Sequence, residues 1–376
     1  MMNYRMGAEP RYPSCDRPFV RVSVIMIFLN ARRYIEDAIE SVIAQTIVDW
    51  ELILVDDGST DGSRALALSY VAKMPERIRL HEHSGRVNRG TGPSRNLGMS
   101  VARGEYLAFL DADDEYTPER LARCADLLDT HPEVDVVISR ELYWRRWGVA
   151  RPISLLPDRV IGPSAELNVV IPPPKLIVST LATRGAAITA TCGLTFRRSV
   201  IGTIGGIPED FTSQYEDQVL LVKLLLNCSA IVIGDCLARY RQHPDSLTHV
   251  AQQVGEYRPG EPCSARRKFI LWLEEYCRDQ AIDEPILKRT LANELSESAT
   301  HSPRSRIAGI GKGVGRWLLK VAGAFIPRSL TDTLLIAYWA RKDARLARRA
   351  IACANQVAAR RGMTVDLQPI CLDYLE

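Results

Sequence analysis

The chain has 376 residues, with 48 Lys/Arg against 45 Asp/Glu, 46% hydrophobic and 25% charged residues, and nine cysteines. Those proportions are ordinary for a globular protein and exclude disordered and collagen-like chains, while the length suits one large domain with an appendage. The cysteines form no CxxC pair and no compact framework, which points to reduced thiols and away from disulfides or structural zinc. Residues 1–20 lack the continuous apolar core of a signal peptide and are expected to be a flexible tail, so the expected location is the cytoplasm.

Residues 22–28 form a short apolar run expected as a buried strand, after which Asn30 is placed to cap a helix whose Ile35, Ala38, Ile39, Val42 and Ile43 recur at helical spacing. A second apolar strand, residues 51–55, runs into Asp56 and Asp57 and then turn residues. Strand and helix go on alternating through residues 77–81, 95–102 and 105–110. Such alternation predicts parallel strands with crossover helices, and ligands of such sheets bind beyond the carboxyl ends of the strands. His81 and His83 fall between strand and loop without ligand spacing.

The next turn holds three carboxylates within four residues, Asp111, Asp113 and Asp114, with Ala112 between the first two. Like charges at a strand end repel beside a low-dielectric core, and a divalent cation relieves that repulsion. Hard oxygen ligands at this spacing suit Mg²⁺ or Mn²⁺, which also bridge to phosphate oxygens. Acidic residues are equally common in solvated turns, so the local pattern leaves both readings standing. Residues 140–191 show no regular alternation, and Trp144, Trp147 and Pro172–Pro174 suggest a loop-rich insert. Glu216 and Asp217 open an apolar helical stretch, where helix-start electrostatics alone would favour them. A strand at residues 230–234 precedes Arg241 and His243, a histidine that can ligate a metal or contact a diphosphate.

Beyond residue 255 the pattern turns helical. Residues 303–361 carry 13 Lys/Arg against Asp332 and Asp343, in a chain of net charge +3. No uninterrupted apolar run reaches the roughly 18 residues needed to span a bilayer. An interfacial helix on anionic lipid and a helical extension packed on the main domain both suit that pattern. No nucleic-acid module accompanies the charge, so nucleic acid is not an expected partner.

Taken in chain order, the run Val22–Asn30, Gln45-Thr46, the turn Val55–Asp61, the segments Ser94–Gly98 and Gly104–Tyr106, the turn Phe109–Asp114, the Glu216-Asp217 pair and Tyr240–Pro244 resemble an inverting glycosyltransferase of family 2. The resemblance runs from about residue 20 to about residue 249. It implies a GT-A α/β fold, a mixed and mostly parallel sheet flanked by helices, over residues 21–250, with a basic helical appendage over 255–376. It implies a metal-dependent transfer of sugar from a nucleotide-diphospho-sugar to a glycan or lipid-linked acceptor, with UDP-sugar ahead of GDP- or dTDP-sugar. By position, Asp57 would accept hydrogen bonds from the nucleotide base, and Arg95 would meet the base or the phosphates. Asp111 would lie near ribose and metal, Asp113 would ligate the metal, and His243 would join them. Ile27, Asn30 and Ala112 would line the nucleotide-sugar site, and Arg241 would neutralise the leaving group. Asp217 would be the general base, with Glu216 its rival. The family commonly has Pro and Tyr where this chain has Ile27 and Leu29, which puts aromatic stacking on the base in doubt. Two alternatives use the same residues differently: a non-catalytic nucleotide- or sugar-binding protein on the same scaffold, and a sugar nucleotidyltransferase. The first has no need of a base, and the second would release pyrophosphate.

Overall fold

A computed structural model describes residues 19–147, 157–182, 189–254 and 263–300. The chain divides into two compact units, Met1–Ser298 and Ala299–Glu376, and all but the last two described residues fall in the first. The expected tail up to residue 18 and the basic run from residue 303 lie outside the described residues.

In chain order the first elements are β1 (Val22–Phe28), α1 (Ile35–Ile43), β2 (Trp50–Asp56), α2 (Ser63–Lys73) and β3 (Ile78–Glu82). Then come α3 (Thr91–Val101), β4 (Tyr106–Phe109), β5 (Glu115–Tyr116), α4 (Arg120–Thr130), β6 (Val136–Trp144), β7 (Arg159–Ile161) and β8 (Val170–Ile171). The remainder are α5 (Lys175–Ala182), β9 (Leu194–Arg197), α6 (Ile201–Ile204), α7 (Glu216–Asn227), β10 (Ala230–Arg241), α8 (Leu247–Val254), α9 (Ser264–Asp279) and α10 (Pro285–Thr300). The strands form one mixed sheet in the order β3-β2-β1-β4-β9-β6-β10-β5, with β7 on β6 and β8 on β10. β3, β2, β1 and β4 are parallel, as the alternation predicted. Beyond β4 the sheet turns mixed: β9 runs antiparallel to both β4 and β6, while β6 and β10 are parallel.

The continuous apolar runs in β1, β2 and β4 follow from burial on both faces. Ile25, Ile53 and Phe109 point to one core, shared with α3, α5 and α7. Val24, Leu52 and Ala108, one residue out of phase, point to the other, against α1, α2 and α4. Phe269, Ile270, Leu273, Leu287 and Leu291 of α9 and α10 join the first core. Through these residues α9 and α10 pack into the core beneath the sheet.

Asn30 does not cap α1, which begins at Ile35 after Tyr34 with no side-chain cap. Asn30 sits instead at φ 52°, where its Oδ1 accepts the Thr60 N–H at 2.8 Å and its own N–H donates to Ser59 Oγ at 3.0 Å. The short amide side chain tolerates that left-handed backbone and ties the ends of β1 and β2 together.

Candidate active site

The carboxyl ends of β1, β2 and β4 lie side by side, because Phe28 pairs with Asp56 and Ile25 with Phe109. The acidic turns that follow β2 and β4 therefore open on one edge of the sheet. Asp111 is held from two sides: Oδ1 accepts from Arg95 Nη2 at 2.8 Å, and Oδ2 from Thr191 Oγ1 at 3.0 Å. Asp113 Oδ2 lies 2.8 Å from His243 Nε2. Asp114 is fully buried, and its Oδ1 accepts the Arg241 backbone N–H at 2.8 Å. Burial, with the charges of Asp113 and Asp111 beside it, pushes the Asp114 carboxyl well above the usual range. The side chains of Asp111 and Asp113 are 29% and 28% exposed, so these two face the cleft and Asp114 backs them.

Arg95 comes from the first two turns of α3. Its side chain is almost completely buried, yet Nε and Nη1 have no hydrogen-bond partner among the described residues. Nη2 holds Asp111 and lies 3.8 Å from Glu216 Oε1. Two unfilled donors on a buried cation form a strong anion-binding feature, since a charge-assisted hydrogen bond contributes about 1.5–3 kcal/mol. The start of α3 is clamped against the segment before α7. A Cβ on Gly90 would meet Thr212 O at 2.2 Å, and one on Gly92 would meet Phe211 O at 2.1 Å. Only glycine permits that approach, and it places the Phe211–Tyr215 strip beside Arg95.

Glu216 and Asp217 form the first turn of α7, after Tyr215 in the left-handed region at φ 65°. Glu216 is buried and Asp217 partly exposed. Burial, and then the Asp217 charge, push Glu216 up to about 7 despite the opposing pull of Arg95. Asp217 is also raised, by burial above all, while hydrogen bonds from Gln218 pull the other way. Their titrations belong to the pair and not to either residue. A carboxylate pair that holds a proton near neutrality suits proton transfer.

The residues expected at the nucleotide end are close together. Each Asp57 oxygen accepts a backbone N–H, Oδ1 from Arg89 at 2.8 Å and Oδ2 from Gly90 at 2.9 Å, so Asp57 shapes the loop into α3. Ile27 and Ala112 are buried and Asn30 is exposed. His83, passed over in the sequence, lies here: its Nε2 is 2.9 Å from Ser94 Oγ and 3.8 Å from Asp57 Oδ1. Thr191 was likewise missed, since it lies 80 residues from the Asp111 it contacts. No spacing rule connects two such positions.

Arg241 is engaged within the protein. Its Nε donates to Asp113 O at 2.8 Å and its Nη2 to Glu115 at 2.6 Å and Asp37 at 3.1 Å, and the guanidinium lies over the rings of Tyr34, Trp144 and Trp147. These partners make it a clamp on the backbone of the acidic turn.

For a divalent metal the donor chemistry fits. Among the described residues no three His, Cys, Asp or Glu side chains converge as a ready cage. Mg²⁺ commonly takes only one or two carboxylates and completes its shell with water and phosphate. Asp113 Oδ2 and His243 Nε2, 2.8 Å apart, would offer one oxygen and one nitrogen donor to such a cation.

A cavity of about 360 Å³ opens between the strip before α7 and the start of α9, with Phe211, Gln214, Ser264 and Lys268 among its walls.

Residues 23–201 match the family model described as glycosyl transferase family 2. The chain is 40% identical over 118 residues to the uncharacterized glycosyltransferase alr2836 of Nostoc sp., which covers 31% of this chain and 36% of that protein. It is 41% identical over 98 residues to the uncharacterized glycosyltransferase YibD of Escherichia coli, 26% of this chain and 27% of that one. The chain thus spans about a third of the length of these curated relatives. Among solved structures it is similar to S. aureus TarS 1–349 in complex with UDP-GlcNAc, with a TM-score of 0.56 and 18% identity over 92% of this chain and 93% of that one. At that identity the likeness concerns the fold. With its acidic turns at the strand ends of a mixed sheet flanked by helices, this chain has a GT-A fold, and its residues 23–201 are similar to glycosyl transferase family 2.

Proposed function

We propose that the protein transfers a sugar from a nucleotide-diphospho-sugar to an acceptor hydroxyl, with inversion and with a divalent metal. The observation that carries this reading is the buried Arg95, whose Nε and Nη1 find no hydrogen-bond partner among the described residues, between the Asp111 turn and the Glu216-Asp217 pair. A diphosphate needs such donors, and the acceptor hydroxyl needs a base close to it. Asp113 and His243 would hold Mg²⁺ or Mn²⁺, and Asp111 would lie between the metal and Arg95. When bound, the metal supplies charge that offsets the negative charge developing on the diphosphate. Arg95 would orient the diphosphate by its planar fork, and Asp57, with His83 beside it, would meet the nucleotide base. Asp217, partly exposed, takes the proton from the acceptor hydroxyl as it attacks the anomeric carbon. Glu216, buried beside Arg95, holds the charge balance of the pair. The strip at Phe211–Tyr215 and its cavity would receive the acceptor glycan.

UDP-sugars are the first donors to test, given the UDP-GlcNAc in the TarS complex. Thermal stabilisation by UDP with Mn²⁺, absent with either alone, is the expected result. Equal stabilisation by UDP without metal would remove the metal from the reading. Among the described residues no helix is long and apolar enough to cross a membrane. The 13 Lys/Arg at residues 303–361 support adsorption of the protein to anionic lipid. Full-length protein should bind phosphatidylglycerol vesicles at low salt and detach as salt rises, because surface attraction is screened over about 10 Å at 0.1 M. No binding at low salt would sink that part.

A further inference from the structure

His243 carries more structure around it than a metal ligand alone requires. Its side chain is only 3% exposed, and while Nε2 faces Asp113, Nδ1 is buried with no hydrogen-bond partner among the described residues. The ring is held on both sides. Tyr34 packs against it with centroids 4.3 Å apart, and Trp147 meets it nearly edge-on at 6.4 Å, pinned by its Nε1–H to Gln242 O at 2.8 Å. The imidazole is therefore confined, with one nitrogen aimed at the acidic turn. The carboxylate nearest its other nitrogen is the Oδ2 of Asp245, at 3.9 Å from Nδ1. That same oxygen accepts the Tyr34 hydroxyl at 3.0 Å and lies 3.9 Å from Arg33 Nη1.

A histidine that binds a metal through one nitrogen usually donates its other N–H to a carboxylate or carbonyl, which fixes the tautomer and raises the basicity of the ligand. We propose that Asp245, held in place by the Tyr34 hydroxyl, is that carboxylate: it accepts the Nδ1–H of His243 and turns Nε2 toward the metal beside Asp113. Asp245 and Tyr34 are thus positioning residues, acting through His243 and touching neither donor nor acceptor. Tyr34 precedes α1 and Asp245 follows β10, so the contact ties the first strand–helix unit to the last strand of the sheet across the site. The 3.9 Å gap closes by a small shift of an exposed side chain, because Asp245 is 65% exposed and is anchored only at its tip. The inference rests on His243 being a metal ligand, as proposed above.

The test is Mn²⁺ titration of the full-length protein in the presence of UDP, following free Mn²⁺ by electron paramagnetic resonance. Asp245→Ala should weaken Mn²⁺ binding by roughly 10–100-fold, the usual worth of such a partner, and Tyr34→Phe by less. Pulsed measurements on bound Mn²⁺ should detect the imidazole nitrogen in the wild type and lose it in His243→Ala. In Asp245→Ala that nitrogen signal should be weakened or altered, while melting in EDTA stays at the wild-type temperature. The proposal is overturned if Asp245→Ala keeps both wild-type affinity and nitrogen signal while His243→Ala loses them. If His243→Ala itself binds Mn²⁺ with wild-type affinity and spectrum, the metal-ligand reading of His243 fails first, and the two failures are told apart by that one variant.

Discussion

The two halves of the sheet do different work and are built differently. In the half made of β3, β2, β1 and β4, parallel strands end together and their own following residues, Asp57 and Asp111–Asp114, line the candidate site. These carboxylates are placed by the strands that precede them, while Arg95 reaches them from α3. In the half made of β9, β6, β10 and β5, mixed pairing brings up residues remote in sequence: Thr191 onto Asp111, Arg241 onto the Asp113 carbonyl, His243 onto the Asp113 carboxylate. The first half offers charge, and the second half aims it. Changes to the carboxylates of the first should remove binding outright, whereas changes in the second should weaken the metal site or alter the rate or the stability.

The largest effect is expected at the point where the halves meet. Asp113→Ala should abolish metal-dependent binding of a nucleoside diphosphate with the fold intact, measured by calorimetry with and without Mn²⁺. Tight metal-dependent binding by that variant would remove Asp113 from the metal site. Next comes the base. Asp217→Asn should leave donor affinity near normal and lower turnover by roughly 10²–10⁴, with Glu216→Gln costing much less. A dead Glu216→Gln beside a normal Asp217→Asn would exchange their roles.

A smaller effect concerns pH. Because the Glu216 carboxyl is pushed up to about 7 and Asp217 is raised with it, the pair holds a proton in acid and loses it near neutrality. Because the Asp217 carboxyl that serves as base is raised by burial, turnover should fall about tenfold per unit on the acid side of a limb that lies above the ordinary carboxylate range. Glu216→Gln removes one of the two repelling charges and should move the acid limb to lower pH. An acid limb at the ordinary carboxylate value in the wild type would contradict the coupled pair.

The smallest expected effect lies behind the site in the mixed half. Glu141 is fully buried, accepts the Thr189 hydroxyl, and is pushed by burial from near 4.5 up to about 8. Between those values the folded chain keeps a proton that the unfolded chain has released. Stability contributed by the protonated carboxyl is complete below pH 4.5 and is lost as pH rises through about 8. Glu141→Gln should flatten that slope, read as urea midpoints at pH 5 and pH 8.5. An unchanged slope would remove Glu141 as its source.

The same contrast explains what the sequence revealed. The parallel half was legible because strand, turn and carboxylate are contiguous, so residues 51–57 and 105–114 announced the parallel strands and marked the candidate site. The start of α7 was legible for the same reason, with Glu216 and Asp217 leading an apolar helix. The antiparallel insertion of β9 between β4 and β6 was not, since its register depends on residues some 60–90 positions apart. His83 was passed over because its neighbours Asp57 and Ser94 arrive from a different strand and a different helix. Arg241 was expected to meet substrate, and only the fold reveals how many partners it has within the chain.

The most direct test of the whole account is product analysis with UDP-sugars and Mn²⁺, using phosphorus resonance to identify the phosphorus-containing product. The account predicts release of UDP, dependent on Mn²⁺, lost in Asp113→Ala and slowed in Asp217→Asn. Formation of UTP and sugar 1-phosphate from UDP-sugar on addition of pyrophosphate, or UDP-sugar binding with no turnover in any condition that gives acceptor and metal together, would contradict it.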